Sequence, residues 1–189
     1  FGIAEDVSDM IYLSVGYGIG AGIVVNGKQC RGSEGFAGDV GHMVIDPNGP
    51  QCPCGKKGCW EVMASSIAAG ESFKSLAEKA ESGDPAAISM LNKIGCNLGI
   101  GISNLINVLN PQLVVLGGEV VHAGKWVMNP CRSTVRERAW PWVVEHTRID
   151  FSGVTGEYAA SVVGTMTKVI EYFLDQKKGA ILHEHRKKA

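Results

Sequence analysis

Three cysteines crowd one short stretch: Cys52, Cys54 and Cys59, in the run QCPCGKKGC. Thiolates at this density suit a soft or borderline metal ion, and zinc takes four such ligands in a tetrahedron. Gly55 and Gly58 let the backbone turn between them. A fourth ligand is expected nearby, and His42 stands on the segment leading into the run. Three Cys and one His make a closed structural site, which leaves no open position for hydrolytic chemistry. Its role would be to fold residues 47–58 and to fix Glu61, two residues after Cys59. A disulfide or free thiols are the alternatives. Cys52 and Cys54 are too close in sequence for an easy bridge, and pairing any two leaves an odd cysteine.

The elements that must position these residues alternate between strand and helix, which predicts an α/β layer architecture. Residues 10–15 (MIYLSV) read as a buried strand and 21–26 (AGIVVN) as a second, with Asn26-Gly27 as a hairpin turn. Residues 41–46 (GHMVID) read as a third strand. Residues 47–58 are dense in Pro, Gly, Asn and Cys and too poor in large apolar residues to hold themselves together. Helices are expected over 60–65, 66–70 and 71–82. Asp84 and Pro85 start a long helix reaching about Asn110, with Ile88, Leu91, Ile94, Leu98, Ile102, Leu105 and Leu109 at helical spacing. Gly95, Gly99 and Ser103 on that helix predict close packing of a neighbour. Residues 112–116 (QLVVL) form a buried strand that Gly117-Gly118 turns into the next helix. A strand at 148–151 and a helix over 156–174 follow, then a polar, basic tail in which His183 and His185 are expected to be inert. Cys30, Cys96 and Cys131 are expected to be small buried apolar residues, and Trp126, Trp140 and Trp142 to pack in the core.

The 189 residues suit one domain or one lobe of a larger protein, and 45% apolar content allows a sizeable core. Lys+Arg 18 against Asp+Glu 19 leaves a net charge of −1, so the chain presents no global field for nucleic acid or an anionic membrane. No apolar run reaches the roughly 18 residues of a membrane span. Without a signal peptide, a cytoplasmic setting is expected. The chain opens at Phe1 rather than Met, so a preceding segment is expected.

The run GHMVIDPNGPQCPCGKKGCWE resembles the signature of the ROK family of repressors, open reading frames and sugar kinases. GYGIGAGIVVNG resembles the family's phosphate-loop hairpin, GFAGDVGH its sugar-site loop, and PQLVVLGGEV the strand and turn near its nucleotide site. The resemblance covers essentially the whole chain. It implies an actin-like ATPase (ribonuclease-H-like) fold of two lobes with sugar bound between them, residues 1–189 being the C-terminal lobe with its zinc loop at 42–61. Carried over, the sugar-binding residues are Asp39, His42 and Glu61. His42 would serve zinc with one ring nitrogen and a sugar hydroxyl with the other. The nucleotide-side glycines are Gly16, Gly18, Gly20, Gly117 and Gly118. Asp39 stands where the family usually has Glu, one methylene longer. Gly16-Tyr17-Gly18 stands where its kinases usually have Gly-Thr-Gly, and a Tyr would crowd a phosphate. The kinases' Asn-Asp pair, whose Asp is the base, has no match in residues 1–9, so no catalytic residue is assigned. What the resemblance implies is a sugar-sensing effector domain of a ROK transcriptional regulator: structural zinc, a homodimer, no membrane, and DNA contacted only through a winged helix-turn-helix before residue 1. The alternatives are a fragment of a ROK sugar kinase, for which ATP and Mg²⁺ would be needed, and a zinc-stabilised interaction domain with a dead sugar site.

Overall fold

The computed structural model describes residues 2–4 and 6–153. The expected helix over 156–174 and the tail histidines His183 and His185 lie outside the described residues.

A mixed five-stranded sheet carries the fold, in the order β3-β2-β1-β4-β5. Strand β1 is Met10–Val15, β2 Ile19–Val25 and β3 Lys28–Cys30. These three form an antiparallel meander. The β2–β3 turn is Asn26-Gly27, both at positive φ (52° and 71°), as a two-residue hairpin turn requires. Asp9 fastens this turn, its carboxylate accepting from the Asn26 N–H at 3.0 Å. Strands β4 (Leu113–Gly117) and β5 (Arg148–Phe151) add in parallel on the other side of β1. In β1 the side chains alternate: Ile11, Leu13 and Val15 are buried, while Tyr12 and Ser14 face the opposite side and are less covered.

One expectation for the first half of the chain fails. Residues 41–46 do not form a strand. Val40–His42 is a single 3-10 turn, and Val44 makes only an isolated bridge to Cys59. The apolar run MVI is held by the cysteine loop instead: the Ile45 N–H donates to Gly58 O at 2.9 Å and the Trp60 N–H to Met43 O at 2.8 Å. The actual third strand, β3, is short, and all three of its residues are exposed. A polar edge strand of this length has no apolar alternation to reveal it.

The helices follow the sequence closely. They are α1 (Trp60–Ala64), α2 (Ser66–Ala69), α3 (Phe73–Glu81) and α4 (Pro85–Leu109). The Asp84 carboxylate caps α4 by accepting from the Ala86 N–H at 2.8 Å. Asn110, at φ 45°, ends the helix in the left-handed conformation. Helix α4 provides the crossover that parallel pairing of β1 and β4 demands. After β4 come a 3-10 turn (Glu119–Ala123), α5 (Lys125–Arg138) and α6 (Pro141–His146). Helix α5 lies against the small residues of α4. A Cβ on Gly95 would come within 2.5 Å of Val127 O, and one on Gly99 within 2.7 Å of Cys131 O. The Gly95–Gly99–Ser103 rhythm is therefore a packing device, and Ser103 returns its hydroxyl to Gly99 O.

Two classes of side chain depart from expectation. Trp140 and Trp142 are each 67% exposed rather than in the core. Trp126 is partly buried, with its indole N–H donating to Glu81 at 2.9 Å. Of the scattered cysteines, only Cys131 is buried; Cys30 is exposed and Cys96 intermediate. Burial pushes the Cys131 thiol up to about 12. Among the described residues no helix is long and apolar enough to cross a membrane.

Candidate metal centre and ligand site

The cysteine loop closes on itself through backbone bonds. The Cys52 N–H donates to Lys56 O at 2.8 Å, Gly55 N–H to Cys52 O at 3.0 Å, and Gly58 N–H to Pro50 O at 2.8 Å. Gly58 sits at φ +68°, where a Cβ would lie 1.5 Å from Asp46 O. No other residue fits there. The fold thus brings the Cys59 end of the loop back against the segment after His42.

His42, Cys52, Cys54 and Cys59 gather as the sequence predicts. One ligand atom from each lies within 4.8 Å of all the others. Cys52 Sγ is 3.7 Å from His42 Nδ1, and Cys54 Sγ is 3.6 Å from Cys59 Sγ. A tetrahedral ion with bonds of about 2.3 Å to sulfur and 2.0–2.1 Å to nitrogen has ligand–ligand edges of about 3.6–3.8 Å. These two edges match that figure and the remaining ones stay within 4.8 Å, so the donor set suits a metal ion in chemistry and comes close to it in size. Cys52 and Cys59 are buried and Cys54 exposed. The thiols differ in acidity. The Lys56 backbone N–H, followed by the Cys52 thiol, holds Cys54 down to about 7. Burial, followed by the adjoining thiols, pushes Cys59 up to about 12.

Glu61 is the link between this loop and the sheet. It lies on the first turn of α1, two residues beyond Cys59. Its Oε2 accepts from the Ile19 N–H at the start of β2, at 3.2 Å. The same oxygen lies 2.5 Å from where a Cβ on Gly18 would be and 3.3 Å from one on Gly41. The absence of side chains at these two positions is what admits the carboxylate. The carboxylate therefore stands between the β1–β2 hairpin and the turn that carries Asp39 and His42. Asp39 occupies the capping position of that turn, without a side-chain cap bond, and is exposed. Its neighbour Gly38 is anchored, its carbonyl accepting from the Ala21 N–H at 2.7 Å.

Two residues that position Glu61 escaped the sequence reading. Trp60 is fully buried, with its indole N–H donating to Asn97 O on α4 at 2.9 Å. The Asn97 side chain returns a bond from Nδ2 to Met63 O at 2.7 Å. Together they pin α1 to α4 at both ends. Asn97 is only 8% exposed. Its sole signal in the sequence is a polar residue on the apolar face of a long helix, which must find a partner if buried.

The expected nucleotide-side glycines fall at two junctions. Gly16, Gly18 and Gly20 lie in and beside the β1–β2 hairpin, where Gly16 O accepts from the Ser66 N–H at 2.8 Å. Tyr17 at the tip is 79% exposed. Gly117 and Gly118 end β4, and Gly118 adopts φ +84° against Val15 O. The two groups meet across the parallel β1–β4 pair, in which Ser14 lies opposite Gly117.

Comparison with known proteins agrees with this architecture. The sequence profile of the ROK family matches residues 1–167. The xylose repressor of Bacillus spizizenii is 36% identical over 184 residues, covering 93% of this chain and 47% of the repressor. Among solved structures, a ROK family transcriptional regulator homologous to the E. coli Mlc protein superposes with a TM-score of 0.73 at 31% identity, covering 80% of this chain and 43% of that one. A ROK family glucokinase from Streptomyces griseus, solved with glucose and AMPPNP, also gives 0.73 at 27% identity, covering 84% of this chain and 60% of that one. The chain spans about half the length of the curated repressors it matches. With its mixed sheet and its likeness to the actin-like sugar-kinase fold of these structures, the chain belongs to the ROK family.

Proposed function

We propose that this chain is the sugar-sensing effector lobe of a ROK transcriptional regulator, with a structural zinc ion held by His42, Cys52, Cys54 and Cys59. The observation that carries this reading is the placement of Glu61. Its carboxylate is fixed by the metal loop through Cys59, by the Ile19 N–H and by the Trp60–Asn97 anchor. A carboxylate held this way, close to the turn bearing Asp39 and His42, is prepared to accept hydrogen bonds from vicinal hydroxyls of a neutral monosaccharide. The ion would neutralise the thiolates and fold residues 47–58. The His42 ring nitrogen not used for the metal would remain available to a sugar hydroxyl. Sugar binding would then shift the balance between conformations of the whole protein, and through it the affinity for DNA held by a separate winged helix-turn-helix. The functional unit is a homodimer.

A second reading, a lobe of an ATP-dependent sugar kinase, is supported by the likeness to the S. griseus glucokinase. In that reading Gly16, Gly18, Gly20, Gly117 and Gly118 would approach nucleotide phosphates and Mg²⁺. Tyr17, 79% exposed at the hairpin tip, stands where the family's kinases usually have Thr, and this departure favours the regulator.

Calorimetry on the full-length parent separates the two. A regulator binds a monosaccharide without binding ATP, and sugar-dependent ATP turnover would refute it. Glu61→Ala should weaken sugar binding at least tenfold, about 1.4 kcal/mol, with metal content unchanged. Equal affinity in the variant would remove Glu61 from the site.

A further inference from the structure

A cavity lies between the second half of α5 and strand β5. It has a volume of about 250 Å³ and is lined by Arg132, Arg136, Arg148 and Asp150, with Val135, Val144, Thr147 and Ile149 completing the wall. Three guanidinium groups face one carboxylate there. Arg132 is already engaged, donating to Asp150 Oδ1 at 2.6 Å and to Ile149 O. Arg136 follows one turn later on α5, and Arg148 opens β5. Both are exposed. The ion pairs among the described residues are Lys79–Glu71, Lys125–Glu81 and Arg132–Asp150, so neither Arg136 nor Arg148 has a carboxylate partner there. Arg148 makes one long bond, to Ile3 O at 3.4 Å. Thr147 spends its hydroxyl on Pro111 O and Val143 O.

We propose that this cavity binds a small phosphate-bearing anion, with Arg136 and Arg148 as its ligands beside the fixed Arg132–Asp150 pair. The chemistry follows from the donors. Guanidinium groups present parallel N–H pairs that match phosphate oxygens, and the Arg132–Asp150 pair leaves a surplus of two positive charges, which a dianion offsets. The size follows from the walls. A concave pocket below the roughly 300 Å³ of a drug-sized site admits a phosphate or a small phosphate ester. A duplex backbone would instead need a convex or extended basic face. The site is separate from Glu61 and the cysteine loop. It shares its strand pair with the Gly117-Gly118 turn, because β5 runs parallel to β4.

Inorganic phosphate is the probe, titrated calorimetrically into the full-length parent protein at low ionic strength. Saturable binding is expected. Arg136→Gln and Arg148→Gln should each weaken it about tenfold. Lys28→Gln, a control on the exposed strand β3, should leave it unchanged. Both arginines are exposed, so thermal melts and metal content of the variants should match the parent, which separates lost ligand contacts from misfolding. No saturable phosphate binding, or equal binding in the Arg136→Gln and Arg148→Gln variants, would overturn the proposal. So would a result in which these variants weaken duplex DNA binding but leave phosphate affinity intact.

Discussion

Where α5 lies against α4, close fit joins the two elements: Gly95 and Gly99 leave room for the Val127, Pro130, Cys131 and Thr134 surfaces. The loop of residues 47–58 is built the other way. Its covered apolar side chains are little more than Cys52 and Cys59 with Val62, and Met63 and Ile67 against them. It closes by backbone hydrogen bonds and by four ligand atoms that gather around a common centre. One region stores its stability in close packing. The other has little packing of its own, and in the proposed reading a bound ion would supply the stability it lacks.

The largest test of this contrast is Gly99→Val. A Cβ there would meet Thr134 Cβ at 2.6 Å and Cys131 O at 2.7 Å, and overpacking against backbone costs about 3 kcal/mol or more. The melting temperature should fall equally with and without metal. A loss confined to metal-loaded protein would break the distinction.

Metal removal is the reciprocal test. Chelation, or Cys59→Ser, should abolish hydrogen-exchange protection across residues 47–61 while the amides of α4 stay protected. Loading must also drive a proton from Cys59, held near 12 without metal. Cys54, near 7, is already largely thiolate above that pH. Apparent metal affinity should therefore rise with pH, with two thiol protons released on loading below about 7 and one above it, and acid should strip the ion. A flat pH profile would show that the thiols are not the ligands.

Asn97→Ala probes the joint between the two regions. It removes the bond to Met63 O but keeps Asn97 O for Trp60. The cost is about 1–3 kcal/mol, smaller than that of Gly99→Val. Sugar affinity should fall with it, since α1 carries Glu61. Unchanged sugar binding would mean that the metal loop alone places Glu61.

The same contrast explains what the sequence disclosed. The packed half was legible, because its apolar period, the Asp84-Pro85 start and the Asn110-Pro111 stop are local signals that the sheet and helices obey. The gathering of His42, Cys52, Cys54 and Cys59 was legible, because thiol clustering leaves few other readings. What failed was governed from a distance. Residues 43–45 look like a strand but are taken up by Cys59, Gly58 and Trp60. Asn97 shows its purpose only when α1 is laid across it. Trp140 and Trp142 have apolar bodies, yet their short helix leaves them exposed.

The parallel pairing of β1 with β4 has a consequence for the birth of the molecule. Met10 must wait for Leu113, and Ser14 for Gly117, so the centre of the sheet cannot form until α4 has been synthesised. The cysteine loop needs only its own short span of chain. On a ribosome releasing about 5–20 residues per second, the loop is complete several seconds before β1 meets β4. The β1–β2–β3 meander and the cysteine loop can thus each close locally while the centre of the sheet still waits for β4.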